Sequence, residues 1–127
     1  MGADIATLLD TAGNALGPQL KVDLLEVFGA LSNIGAEFGF RTAKEIARFM
    51  VIHQELSGPA WVYKDALDAQ VLQKLMPKLH GSARKLSGVL KEVEAFATTK
   101  DLKLTLEKVQ RMQQRLERDG FTSFAEA

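Results

Sequence analysis

The sequence predicts an all-α protein, a compact bundle of five or six short helices. Apolar residues recur every three or four positions along most of the 127 residues, which is the period of an amphipathic helix. Val, Ile and Thr form no alternating runs joined by Asn-Gly or Asp-Gly, so hairpins are not expected. The three prolines fall where helices should begin or end.

The first third of the chain predicts two helices. A short amphipathic segment covers residues 5–16. Pro18 suits the first turn of the next helix, because the N–H that proline lacks has no helical partner there. Six apolar residues then share one face of that helix: Leu20, Leu24, Val27, Phe28, Leu31 and Ile34. Residues 35–40 interrupt the pattern, and we expect a break there.

Thr42 and Glu45 have the spacing of a capping box. In this motif the threonine hydroxyl accepts from the third amide of the helix, and the glutamate reaches back to the cap. The helix that they open carries four residues at apolar spacing: Ile46, Phe49, Met50 and His53. The sequence Ser-Gly-Pro at residues 57–59 is expected to end it.

A further helix is predicted over residues 61–76, closed by Pro77 and Gly81. Ser82 is the expected cap of the next helix, since its hydroxyl can accept from a free amide of the first turn. Apolar residues continue that helix to about residue 96, and a polar linker is predicted over residues 98–101.

The last predicted helix begins near Leu102 and ends at Gly120, the usual glycine position just after a helix. Residues 121–124 predict a short apolar tail. Because every connection is short and no internal repeat occurs, we expect residues 1–127 to form a single helical domain.

The formal charge of zero is the sum of segments that carry different net charges. Lys and Arg number 16, as do Asp and Glu, which excludes a strongly basic nucleic-acid-binding protein and an acidic tail as descriptions of the whole chain. Residues 1–37 nevertheless carry a charge of −4, whereas residues 69–91 contain five bases and no acid.

Composition also bears on the compartment. Cysteine is absent, which excludes disulfides, a thiolate nucleophile and Cys-ligated metals. No apolar run reaches the roughly 18 residues that a membrane span needs. The first residues, 1–4, lack the basic start of a signal peptide. We expect a cytoplasmic protein without a membrane partner.

The motifs of common enzymes are missing from the sequence. No Gly-Lys pair is present, so a nucleotide-binding P-loop is excluded in this chain. The two histidines, His53 and His80, do not have metal-ligand spacing, and no metal site is expected. Ser82 and Lys85 match the S-x-x-K spacing of penicillin-recognising enzymes, but the accompanying motifs are absent. The chain alone is not expected to be an enzyme.

A basic segment covers residues 69–91. Its five bases are Lys74, Lys78, Arg84, Lys85 and Lys91. They could contact phosphates or the acidic face of a partner, or they could belong to a solvated face that lacks acids. Interleaved aromatic residues, which are typical of proteins that bind single-stranded nucleic acids, are absent.

Arg41 precedes the predicted cap at Thr42, close to the free amides of a helix N-terminus. A guanidinium placed there could bind a phosphate through two parallel hydrogen bonds. The alternative is an ion pair with Glu37 or Glu45.

Four stretches resemble the C-terminal helical region of McrB-type AAA+ ATPases, the motor subunits of methylation-dependent restriction systems. They read EFGFRTAKEIARF, ALDAQVLQK, LMPKLHGS and KVQRM followed by DGFTSF. Order and spacing agree over residues 20–124, whereas residues 1–19 do not match. The aromatic residue that the family has after Ser-Phe is replaced by Ala125.

The resemblance implies the lid subdomain of such a motor. An arginine that begins a lid helix in AAA+ proteins commonly touches the terminal phosphate of the nucleotide, and Arg41 has a similar position. The resemblance implies GTP or ATP with Mg²⁺ bound by the parent protein and not by this chain alone. It also implies as partners the AAA+ core, neighbouring ring subunits and possible DNA contact through the parent complex.

Two hypotheses about function follow from the sequence. In the first, the chain is a lid subdomain that contributes nucleotide sensing through Arg41 and packing between subunits, without catalysis of its own. In the second, it is a stand-alone small helical protein that binds nucleic acid or a protein partner through the basic face of residues 69–91.

Overall fold

The computed structural model describes residues 16–127, so the helix predicted over residues 5–16 lies outside the described residues except for its last position. Within residues 16–127 the protein is an all-α bundle, as predicted, and it also contains one very small sheet that the sequence did not predict. The helices are α1 (Leu16–Ser32), α2 (Phe40–Ser57), α3 (Tyr63–Gln70), α4 (Ala83–Lys100) and α5 (Lys103–Asp119). The strands are β1 (His80–Ser82) and β2 (Phe121–Ser123).

Buried apolar side chains from all five helices form one hydrophobic cluster. The apolar face predicted for α1 supplies four of its fully buried members: Leu20, Leu24, Val27 and Leu31. A break after α1 is confirmed, but it covers residues 33–39 instead of 35–40, so Ile34 lies in the turn and not on the helix. Gly35 adopts a positive φ of 70° in this turn. Phe38 then inserts into the core and packs edge-to-face on Phe28, with ring centroids 5.3 Å apart.

The helix predicted over residues 61–76 is shorter and less regular than expected. The α-helical part ends at Gln70, a π-helical turn follows at Val71–Leu75, and a 3₁₀ turn covers Met76–Lys78. Pro77 occupies that last turn and has no N–H to donate, so a regular α-helix cannot continue through it.

Helices α4 and α5 form an antiparallel hairpin. The Ser82 hydroxyl caps α4 by accepting from the Lys85 amide at 3.4 Å, which confirms the predicted cap. The linker predicted over residues 98–101 is wrong, because α4 continues to Lys100. The chain turns at Asp101, which adopts the left-handed conformation with φ 58°. Gly120 ends α5 in the same conformation, as predicted.

The tail predicted over residues 121–124 is instead largely a strand. Strand β2 pairs antiparallel with β1, and Gly81 lies opposite Thr122. The pairing continues into the helices, because the amide of Ala83 donates to the carbonyl oxygen of Gly120 at 3.0 Å. The sheet therefore joins the beginning of α4 to the end of α5.

Two buried carboxylates connect helices that are distant in sequence. Asp68, at the end of α3, accepts from the amides of Leu104 and Thr105 at 2.8 Å each and so caps α5. Asp23, in α1, accepts from the Tyr63 hydroxyl at 2.7 Å and forms an ion pair with Lys100 at 3.0 Å. Asp68 therefore links α3 to α5, and Asp23 links α1 to α3 and α4.

Candidate functional site

The first turn of α2 carries the best candidate site. The capping box predicted from Thr42 and Glu45 is wrong, because α2 begins at Phe40 and Gly39 is its N-cap, without a side-chain hydrogen bond. The amide of Ala43 already donates to the carbonyl oxygen of Gly39 at 3.1 Å. The burial of Phe38 fixes this earlier start, since its side chain anchors the chain immediately before the helix.

The earlier start changes the positions of the predicted residues. Arg41 and Thr42 are the second and third residues of α2 instead of its flanking positions. Glu45 is one turn further along, where its carboxylate pairs with Lys74 at 3.3 Å. Glu45 therefore connects α2 to the π-helical turn and does not support the cap.

Arg41 is exposed and forms no ion pair or hydrogen bond with another residue in the range 16–127. The predicted alternative, an ion pair with Glu37 or Glu45, is not present. The first turn of α2 contains no acidic residue that would offset the partial positive charge of the helix terminus. Arg41 adds a full positive charge to that terminus.

Two further bases lie beside Arg41. A shallow depression of ≈ 500 Å³ is lined by Phe40, Arg41, Lys44, Glu45 and Arg48. The carboxylate of Glu45 is paired with Lys74, so the depression presents three cations that have no ion-pair partner among residues 16–127. Such a surface attracts anions, and the two arginines can bind phosphate or carboxylate groups in a bidentate manner.

Two of the four residues predicted to share the apolar face of α2 are not buried. Ile46 and Met50 are buried as expected, whereas Phe49 and His53 are exposed and stack on each other with ring centroids 5.2 Å apart. Phe49 belongs to a second, exposed set of apolar residues with Ile52 and Leu56. The spacing of three and four residues in this set is the signal that could have revealed it.

The five bases of residues 69–91 lie on several elements. Lys74 belongs to the π-helical turn, and Lys78 ends the following 3₁₀ turn. Arg84 and Lys85 lie in the first turn of α4, where the aliphatic part of Lys85 covers Gly81. Lys91 lies in the middle of α4 and lines a depression with Gln113 and Glu117 of α5.

Residues 16–127 contain no group of three or more acidic or histidine side chains that could hold a metal ion. In the same range, no helix combines the length and the apolar character needed to cross a membrane.

Comparisons with known proteins give the family of the chain and no function. A search of curated proteins found no significant match, and a search of solved structures found none either. A family model described as "Domain of unknown function (DUF8727)" matches residues 3–121, which is nearly the whole chain. The protein therefore belongs to the DUF8727 family.

Proposed function

We propose that the chain is the C-terminal helical lid subdomain of a restriction-type AAA+ NTPase in the cytoplasm. It contributes nucleotide sensing and packing between ring subunits, and it has no catalytic activity alone. The observation that carries the proposal is the guanidinium of Arg41 in the first turn of α2, which has no partner within residues 16–127 and lies next to Lys44 and Arg48. GTP or ATP with Mg²⁺ is bound by the core of the parent protein.

In this proposal Arg41 donates charge-assisted hydrogen bonds to the terminal phosphate of a nucleotide on the core. Lys44 and Arg48 add to the positive potential of the helix terminus. A diphosphate lacks the group that Arg41 binds, so the lid favours the closed position only when the triphosphate is present. The chain therefore senses the nucleotide state without supplying the attacking group or the metal ligands.

Contacts between the stretches that resemble the McrB type support the view that these stretches act together. The HGS sequence of residues 80–82 pairs with the FTS sequence of residues 121–123. Lys108 lies over the ring of Phe124, 4.5 Å from its centroid. Asp68 of the ALDAQ sequence caps α5. These residues have structural partners, whereas Arg41 has none in the range 16–127.

The rival function, binding through the basic face of residues 69–91, receives less support. Lys74 is already paired with Glu45, and Lys91 lies beside Glu117. This hypothesis makes a different prediction, because a protein that binds DNA through several lysines and arginines loses affinity steeply as the salt concentration rises. Retention of the chain on DNA at low salt with a steep salt dependence would favour it.

The test is steady-state hydrolysis of GTP and of ATP by the AAA+ motor that contains this chain or is encoded beside it. We expect Arg41→Ala to lower kcat by about tenfold or more, as for other residues that stabilise a transferring phosphoryl group. The matched control is Arg118→Ala, because Arg118 is exposed on α5 and, in the described part of the chain, pairs with its neighbour Asp119 alone. Equal rates for the two variants, or the absence of a P-loop core, would overturn the proposal.

A further inference from the structure

An apolar stripe on the outer face of α2 consists of Phe49, Ile52 and Leu56. Their exposed fractions are 36%, 47% and 83%, the last being very large for a leucine. Positions three and four residues apart lie one above the other on a helix, so the three side chains form a continuous row. The stripe lines a depression of ≈ 330 Å³ together with Glu45, Arg48 and His53.

The described part of the bundle, residues 16–127, does not use this row for its own packing. The buried residues of α2 are on the other side of the helix, and they are Ala43, Ile46, Ala47 and Met50. The helix therefore has two apolar faces, one in the core and one at the surface. Contiguous exposed apolar residues bordered by charges are characteristic of binding surfaces.

The charges along one edge of the stripe are mainly positive. Arg41, Arg48 and Glu55 follow one another at intervals of seven residues and so lie on one edge of α2, with Lys44 nearby. Glu45 lies at the stripe itself, but its carboxylate is paired with Lys74. An acidic partner surface therefore complements this edge.

The small size of the stripe favours a helix of another protein over a second copy of the chain as its binding partner. A stable interface buries about 800 Å² on each partner and involves some 20–30 residues a side. Three apolar side chains over two helical turns are too few for a dimer held by this face alone. A short helix that lays its own apolar row on the stripe needs no larger surface.

We propose that the apolar stripe binds an amphipathic helix of a protein partner, with acidic residues of that helix facing Arg48, which lines the same depression. Leucine-like side chains of the partner pack between Phe49, Ile52 and Leu56, as ridges of one helix pack into the grooves of another. The ring of His53 supports Phe49 from the side by stacking on it. This binding goes beyond the nucleotide contact proposed for Arg41 and requires no nucleotide.

The test uses fluorescein-labelled helical peptides of about 18 residues, the length of five helical turns. One peptide has leucines at spacings of three and four with glutamates beside them, a second replaces the glutamates by lysines, and a third is a scrambled version of the first. Fluorescence anisotropy with the full chain, without nucleotide, gives the Kd of each. We expect the acidic peptide to bind at least about tenfold more tightly than the other two.

Two variants with the same substitution locate the binding surface. Leu56→Ser removes the most exposed member of the stripe, whereas Leu104→Ser changes an exposed leucine on α5. We expect Leu56→Ser to weaken acidic-peptide binding by about tenfold and Leu104→Ser to leave it within about twofold. Circular dichroism confirms that both variants are folded.

Two outcomes would overturn this assignment. In the first, the acidic, basic and scrambled peptides bind equally, or the two leucine variants have the same effect. In the second, sedimentation velocity shows a dimer that Leu56→Ser dissociates, which would assign the stripe to a second copy of the chain. Neither outcome bears on the hydrolysis assay with Arg41→Ala, so this proposal and the proposed function can fail separately.

Discussion

The carboxylate of Asp68 and the backbone amide of Thr105 are 37 positions apart in sequence and form a hydrogen bond of 2.8 Å. The same carboxylate accepts from Leu104, and the Thr105 hydroxyl donates to the Asp68 carbonyl oxygen at 3.3 Å. Asp68 is only 5% exposed. The N-terminus of α5 is therefore capped from another helix, because Leu102, at its N-cap position, has no side-chain oxygen.

Substitution of this cap tests its contribution to stability. We expect Asp68→Ala to lower the free energy of unfolding by about 2–3 kcal/mol, because two amides lose a charged acceptor in a buried position. Asp65→Ala is the control, since Asp65 is exposed on the same helix and is expected to change stability by less than about 1 kcal/mol. Urea unfolding followed by circular dichroism measures both, and equal effects would contradict the role of Asp68.

Replacement of Gly81 and of Gly88 by alanine should change the free energy of unfolding in opposite directions. Gly81 has φ 140°, and a Cβ there would lie 3.0 Å from the Cδ atom of Lys85. We expect Gly81→Ala to cost about 1–3 kcal/mol, the usual range for a residue forced into such a conformation. Gly88 is inside α4, and a Cβ added there would point into open space beside the helix, so Gly88→Ala should stabilise by about 0.5–1 kcal/mol. Thermal unfolding of both variants gives the sign directly.

The hydroxyl of Tyr63 should not ionise in the folded protein near its ordinary pKa. Burial raises the pKa of Tyr63 above its usual value of 10.0, and the adjacent Asp23 carboxylate raises it further. Because the chain contains one tyrosine, the tyrosinate absorbance near 295 nm reports this residue alone. We expect no native titration step around pH 10, with ionisation only when the protein unfolds. A reversible step there with the fold intact would contradict the buried hydrogen bond.

Stability should fall on the alkaline side for the same reason. Above the pKa of the unfolded tyrosine, the unfolded state has lost a proton that native Tyr63 retains, so unfolding becomes more favourable as pH rises. Lys100 acts in the same direction, because its hydrogen bond to Asp23 raises the lysine pKa. Tyr63→Phe should therefore reduce the slope of unfolding free energy against pH above pH 10. An unchanged slope in urea titrations at several pH values would contradict this linkage.

At neutral pH the same Tyr63→Phe substitution removes one donor from a carboxylate that is 1% exposed. We expect a loss of about 1–3 kcal/mol, since the remaining partner of Asp23 is Lys100. The magnitude is measured by urea unfolding at pH 7, and a value close to zero would show that the hydroxyl is dispensable.

Helical periodicity predicted most of the fold because each helix of residues 16–127 buries one apolar face. The cap at Ser82 and the end at Gly120 were also predictable, since both depend on local backbone chemistry. The strands were not, because each is three residues long and its partner is about 40 positions away. The early start of α2 depends on the burial of Phe38, which is a tertiary contact.

The candidate site was only partly predictable from the sequence. Arg41 was identified from its position near a helix terminus, but the sequence alone gave no means to decide whether it pairs with Glu37 or Glu45. In the structure Glu45 pairs with Lys74 of the π-helical turn and not with Arg41, which is a tertiary contact that the sequence does not show. The exposed row at Phe49, Ile52 and Leu56 was missed because an apolar residue in a helix is more often in the core.

The small sheet has a mechanical consequence for the α4–α5 hairpin. The turn at Asp101 joins the two helices at one end, and the strand pairing around Gly81 and Thr122 joins them at the other. Because α4 and α5 are connected at both ends, they cannot slide along each other without breaking the turn or the strand pairing. We therefore expect a force applied to β2 to displace α4 and α5 together.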